Sequence, residues 1–183
     1  MINSSFLRGA LVAVSCLPAL AAAAPSYTAI DLGTLGGTSS YGYGINASGQ
    51  VTGGSYTAGN AAQHAFLSSG GVMTDLGTLG GTVSFGQDIN ASGQVTGFST
   101  TAGNADQHAF LYSGGSLYDL NDLLTLGTTL NEAWGINDSG QIVANGADGR
   151  AYLLTPESVP EPGSLLLLAT ALGSVFGLRR KQR

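Results

Sequence analysis

The sequence predicts an all-β fold of about three four-stranded units, closed like a β-propeller or stacked as an open array of sheets. Three observations predict it. Residues 31–74 align without a gap on residues 75–118, and 33 of those 44 pairs are identical, so the middle of the chain repeats itself. Within the repeat, apolar residues alternate with small or polar ones at the two-residue period of half-buried strands, and no stretch shows helical spacing. Glycine supplies 29 of 183 residues while charged residues make up 9%, against roughly 25% charge in an average soluble domain. Such a composition suits short strands joined by tight turns.

The elements follow in order. Tyr41, Tyr43 and Ile45 alternate with Ser40, Gly42, Gly44 and Asn46, which predicts a first strand. The second copy keeps Phe85 and Ile89 around Gln87, and the third has Trp134 and Ile136. Asn46-Ala47-Ser48-Gly49 is a turn, with glycine where positive φ is expected. Residues 51–56 form the second strand, 57–63 a polar loop and 64–68 the third strand. Gly70-Gly71 makes a hairpin turn, and residues 72–76 form the fourth strand. A diverged third copy spans 119–156. Its Ile136-Asn137-Asp138-Ser139-Gly140-Gln141-Ile142 segment lies 47 rather than 44 residues after its counterpart, so three residues are inserted after Asp119. This copy stops after its third strand, 151–154. An extra strand over 27–32 precedes the first copy, and residues 27–30 are expected to close the last unit, removing two exposed edges. Three units are fewer than the four to eight blades of a propeller. Self-association into a ring and an open array both remain consistent with the pattern.

The two ends read as addresses. Residues 1–24 have the form of a signal peptide: Arg8 is the one charge, an apolar stretch follows, and small residues Ala22, Ala23 and Ala24 offer a site to signal peptidase. The single cysteine, Cys16, falls inside this segment, so no disulfide framework is expected. Lipidation at Cys16 is an alternative, although Ala13 stands where such sites usually carry leucine. At the other end, Val159-Pro160-Glu161-Pro162 precedes an uncharged span at 165–178 and the basic cluster Arg179, Arg180, Lys181 and Arg183. By the positive-inside rule the basic tail stays cytoplasmic, which places the Pro-Glu-Pro element at the outer face of the membrane.

Motif, apolar span and basic end together resemble the PEP-CTERM sorting signal of Gram-negative bacteria, over residues 159–183. The resemblance implies a transient partner, an exosortase, which is a transpeptidase-like membrane enzyme that removes the apolar helix. It further implies export through the inner membrane and delivery to the cell surface or to extracellular polysaccharide.

The intervening domain, 25–158, resembles the HAF family of extracellular repeats. The residues that carry the likeness are His64-Ala65-Phe66 and His108-Ala109-Phe110, together with the glycine-rich segments at 31–37 and 75–81 and the Ile-Asn-x-x-Gly-Gln-Val segments at 45–51 and 89–95. The third copy departs from it, with Arg150-Ala151-Tyr152 in place of the triplet. The resemblance implies a secreted or surface location without a reaction.

Candidate chemistry is sparse. A metal site would need His64 and His108 to converge with acids such as Asp88 or Asp106, yet the third copy has Arg150 at that position. A strand residue bonded within its own unit is the expected role. The Asn-x-Ser-Gly turns at Asn46, Asn90 and Asn137 match a glycosylation sequon and offer too few oxygens for calcium; turn chemistry explains them. Gly36-Gly37 and Gly80-Gly81 lack the lysine of a phosphate loop. Asp31, Asp75 and Asp119 recur once per unit, as backbone-capping acids would. No catalytic residue, metal or cofactor is expected. Nine acids and one base, Arg150, between residues 27 and 156 exclude a nucleic-acid partner. The expected function is a non-enzymatic structural or interaction module at the cell envelope. A carbohydrate-binding module is the alternative, with Tyr56, Tyr112 or Tyr118 stacking on sugars and loops 57–63 and 101–107 shaping a site.

Overall fold

The computed structural model describes residues 24–157, and its fold is all-β. Strands β1 (Gly36–Ile45), β2 (Val51–Thr57), β3 (Gln63–Ser69) and β4 (Val72–Gly77) form an antiparallel meander. A second meander contains β5 (Gly80–Ile89), β6 (Val95–Thr101), β7 (Gln107–Ser113) and β8 (Ser116–Asp119). One parallel bridge, Gln63 to Val83, links the two. The third sheet has β9 (Leu130–Ile136), β10 (Ile142–Gly146) and β11 (Ala151–Leu154). Short 3-10 turns at Ala58–Asn60, Ala102–Asn104 and Leu120–Asp122 punctuate the strands.

Two turn chemistries set the registers. Gly49, Gly93 and Gly140 each adopt a φ near +75°, which a side chain rarely tolerates. In the same turns the Asn46, Asn90 and Asn137 Oδ1 atoms accept two backbone N–H groups each, at 2.9–3.1 Å. The two-residue hairpins at Gly70-Gly71 and Gly114-Gly115 have positive φ at both central positions, which matches the twist of the flanking strands.

Each first strand has two register shifts, and one of them is a bulge at an equivalent point. The register skips Tyr43 between Gly42 and Gly44, Gln87 between Gly86 and Asp88, and Trp134 between Ala133 and Gly135. A bulge re-aims the extra side chain, and here the three extra residues occupy the same place in three sheets.

The core lies between sheets. Ala65 and Leu76 of the first sheet meet Ile89, Val95 and Phe110 of the second. Ala109 of the second, with Leu120 of the 3-10 turn after β8, meets Leu130, Ala133, Ile136, Ile142 and Ala144 of the third. Adjacent strand residues face opposite ways, so Ala109 and Phe110, both fully buried, serve two different cores. Thr52 Oγ1, buried between the first two sheets, donates to the Phe66 carbonyl at 2.8 Å. A Cβ on Gly86 would lie 2.1 Å from that hydroxyl. One sheet further on, Ala133 takes the register position of Gly86, and the buried Thr96 Oγ1 has no partner among the described residues.

Several expectations change. No strand forms over residues 24–34, so the closing strand at 27–30 is absent; Tyr27 and Ile30 are 90% and 80% exposed. Backbone pairing in β1 begins at Gly36, four residues before the alternation in side chains becomes visible. The longer spacing in the third copy is taken up by the 3-10 turn at Leu120–Asp122 and the segment 123–129. Among the described residues no helix is long and apolar enough to cross a membrane. The signal segment expected over 1–24, apart from Ala24, and the apolar helix expected over 165–178 lie outside the described residues.

Candidate functional site

Strands β3 and β4 bring His64 onto Asp75. The imidazole Nδ1 lies 2.9 and 2.8 Å from the two carboxylate oxygens, and Asp75 Oδ1 also accepts the Gly77 N–H at 2.7 Å. Strands β7 and β8 repeat the arrangement with His108 and Asp119, whose Oδ1 accepts the Asn121 N–H at 2.8 Å. Asn121 then bridges to the Leu130 N–H and carbonyl, tying the segment after β8 to β9. In the third sheet Arg150 replaces histidine; it is 79% exposed and 3.8 Å from Asp148. A hydrogen bond from Tyr152 chiefly holds the Asp148 carboxyl below its ordinary range, assisted by the Arg150 N–H and charge.

An imidazole held by a carboxylate is two-thirds of a hydrolytic triad. Among the described residues no hydroxyl is hydrogen-bonded to either ring, and no group of three or more His, Cys, Asp or Glu could hold a metal. Asp88 is used elsewhere, its Oδ2 accepting the Ile136 N–H at 2.9 Å. Asp106 and His108 line a polar cleft with Gln107, Thr129, Asn131 and Ala147. Each His–Asp pair therefore works as a clamp between neighbouring strands.

The candidate binding loops are similarly occupied. Asn60 and Asn104 adopt left-handed backbone, at φ 56° and 55°, which asparagine tolerates best among residues with a side chain. Their Oδ1 atoms accept the N–H groups of Thr38 and Thr82 at 2.9 and 2.8 Å. Of the tyrosines expected to meet sugars, Tyr118 is 43% exposed, while Tyr56 is half-buried and Tyr112 packs on the first core. Asn90 is buried, which leaves its amide inaccessible to a glycosylating enzyme.

Sequence reasoning missed a ladder that runs across sheets. Asn46 Nδ2 donates to the Asn90 carbonyl at 2.9 Å, and Asn90 Nδ2 to the Asn137 carbonyl at 3.2 Å. The Tyr43 ring meets Phe85 of the next sheet at 6.0 Å, and Gln87 Nε2 donates to Glu132 of the next sheet at 2.8 Å. The signal for these contacts was the repeat period itself, since partners stand 42 to 47 residues apart.

Burial raises the pKa of Glu132, and the hydrogen bond from Gln87 pulls it partly back. Its ionised form therefore costs the folded state. That cost is absent below the ordinary carboxylate range, where folded and unfolded chains both hold the proton, and is complete once pH exceeds the raised folded value. Glu132→Gln keeps an acceptor for Gln87 and removes the charge. Thermal unfolding should show a raised Tm at neutral pH and no change near about pH 3; an equal shift at both values would mean that ionisation is not the cause.

The sorting residues Val159, Pro160, Glu161 and Pro162, the basic cluster at 179–183, and Ala22 and Ala23 lie outside the described residues, whereas Ala24 is exposed. Residues 158–181 match the family model described as the PEP-CTERM protein-sorting motif. No curated protein and no solved structure matches the chain. The motif indicates an exported protein, sorted via the membrane to the cell surface, with an exosortase as its transient processing partner.

Proposed function

We propose that the mature chain is a surface or extracellular-matrix protein of a Gram-negative cell, its HAF-type β domain acting as a non-enzymatic structural or interaction module. The observation that carries this reading is the sorting motif at 158–181 placed after a domain whose polar side chains serve its own framework. The two histidines clamp strands, the turn asparagines cap N–H groups and cross-link sheets, and the loop asparagines hold β1 and β5. Signal peptidase would act near Ala24, and the exosortase would remove the segment beyond Pro162. Three sheets packed face to face, with equivalent contacts at each junction, support a propeller-like or stacked arrangement of repeats.

Replacing Pro160, Glu161 and Pro162 together with alanine should leave the protein in the membrane fraction with residues 165–183 still attached, as read by intact mass. The unaltered chain should appear in the medium or matrix without them. Release of the triple variant at the usual mass would defeat the sorting assignment.

A carbohydrate-binding module is the second reading, favoured by the exposed ring of Tyr118, since aromatic faces stack on sugars. It requires saturable binding to the host's exopolysaccharide that Tyr118→Ala weakens at least several-fold; calorimetry without a saturable isotherm supports the structural module instead.

A further inference from the structure

The two outermost sheets each present a face that inside the molecule is covered by a neighbouring sheet. On the first sheet this is the face that leads into the array. Its Ile45 is 69% exposed, whereas the equivalent Ile89 and Ile136 are 4% and 7% exposed. Tyr41, equivalent to Phe85 and Glu132, is 49% exposed. On the third sheet it is the trailing face. Val143 and Leu153 are 46% and 66% exposed, while Thr52 and Thr96, the counterparts of Val143, are fully buried and Leu67 and Leu111, the counterparts of Leu153, pack on cores. Among the described residues no sheet covers Ile45 and Tyr41 at one end or Val143 and Leu153 at the other, although Phe66 on the leading face is buried.

We infer that these faces bind each other between copies, so that the third sheet of one chain stacks on the first sheet of a second chain in the geometry of the internal junctions. Three features point to a second copy as the occupant. The hydrogen-bond ladder is open at matching ends: Asn46 and Asn90 each donate two amide protons, but Asn137 Nδ2 donates to Gln141 alone among the described residues. Among the described residues the Asn90 and Asn137 carbonyls each accept two hydrogen bonds, and the Asn46 carbonyl accepts one, from Gly49. Asn137 of one copy and the Asn46 carbonyl of the next are thus the missing donor and acceptor of one rung.

The bulge residues give the second feature. Tyr43 reaches Phe85 and Gln87 reaches Glu132 in the next sheet. By the same step Trp134 reaches Tyr41 of another copy, an aromatic pair in place of an aromatic and a polar one.

The third feature is shape. Thr52 needs the missing Cβ of Gly86, and Val143, with the branched outline of threonine, would meet Gly42, where the nearest atom to an added Cβ is Val51 Cγ1 at 3.4 Å. Leu153 would cover Ile45 as Leu67 covers Ile89.

The contact joins two different faces, so it is heterologous and either closes a ring or extends a filament. Two chains joined at both ends would bring six sheets together, within the four to eight of a closed propeller. The inference stands apart from any glycan and from the route of export.

The test uses the exported protein as released from its host, with native mass spectrometry and sedimentation over a wide concentration range. Species at multiples of the chain mass are expected, and a monomer at every concentration overturns the proposal. Ile45→Asp disables the leading face and Leu153→Asp the trailing face, both at exposed positions that leave the cores intact. Each variant alone should lose association at least tenfold with an unchanged Tm. Mixed in equal amounts they should form a heterodimer, because each retains the face the other has lost. A mixture that stays monomeric, or a single variant that still pairs with itself, overturns the head-to-tail arrangement. Soluble exopolysaccharide added to the mixture should leave the heterodimer in place; its displacement would assign the aromatic faces to sugar and overturn the proposal.

Discussion

Phe110→Ala should destabilise the protein by about 3–5 kcal/mol, read as a lower urea midpoint with an unchanged slope. The ring is fully buried, on the side of β7 that faces the first sheet, and packs with Ala65, Leu76, Ile89 and Val95. Its buried neighbours sit on strands of two sheets, so filling the space that truncation leaves would draw those strands together. Domains of this size are stable by only about 5–15 kcal/mol, so this loss is a large share of the total. An unchanged midpoint would show that the first and second sheets are not held together by this core.

Gly97→Ala should cost at least about 3 kcal/mol, the upper end for overpacking a core. A Cβ at this position would lie 1.8 Å from the Phe85 carbonyl oxygen and 2.9 Å from its carbon. Both atoms are backbone, so no side chain can rotate away, and β5 would have to part from β6. The comparison variant is Gly127→Ala, where an added Cβ meets nothing within 4 Å and the change should stay within about 0.5 kcal/mol. The third sheet carries Ala144 at the register of Gly97, opposite Ala133. Should Gly97→Ala unfold at the same temperature as the unaltered protein, β5 and β6 must be able to adopt the spacing of β9 and β10.

The strands were legible because their signals are local. Tyr41, Tyr43 and Ile45 alternate, and the asparagine-to-glycine turns and glycine pairs punctuate the chain with conformations few other residues accept. The start of β1 leaves no side-chain signal, because Gly36 pairs with Thr57 through backbone and Gly37 lies so close to Tyr56 that an added Cβ would meet Tyr56 Cβ at 2.5 Å. The segment 27–32 resembles the fourth strand of a unit through Asp31 and Leu32, which match Asp75 and Leu76, but that likeness does not state whether a neighbouring strand exists to pair with it.

The histidines divide in the same way. Their position on strands, and the recurrence of Asp75 and Asp119 eleven residues later, could be seen in the chain. That His64 sits within 2.8 Å of Asp75 follows only from the pairing of β3 with β4, which sets Asp75 opposite Phe66, two residues from His64. The bulges at Tyr43, Gln87 and Trp134 left no local mark, because an extra residue in a strand is defined by its partner strand.

By itself the sequence determined the strand-forming units, their turns, and the sorting motif that directs the chain out of the cell, since each of these depends on residues close together in the chain. The tertiary structure decided which face of each strand is covered, that Ala109 and Phe110 serve separate cores, and that Asn46, Asn90 and Asn137 form one ladder across three sheets. It also decided which copies of a repeated residue stay exposed, as Ile45 does while Ile89 does not. Near-identical segments carry identical local preferences. What distinguishes the copies is whether another sheet packs on them, and that contact is made between residues more than forty positions apart.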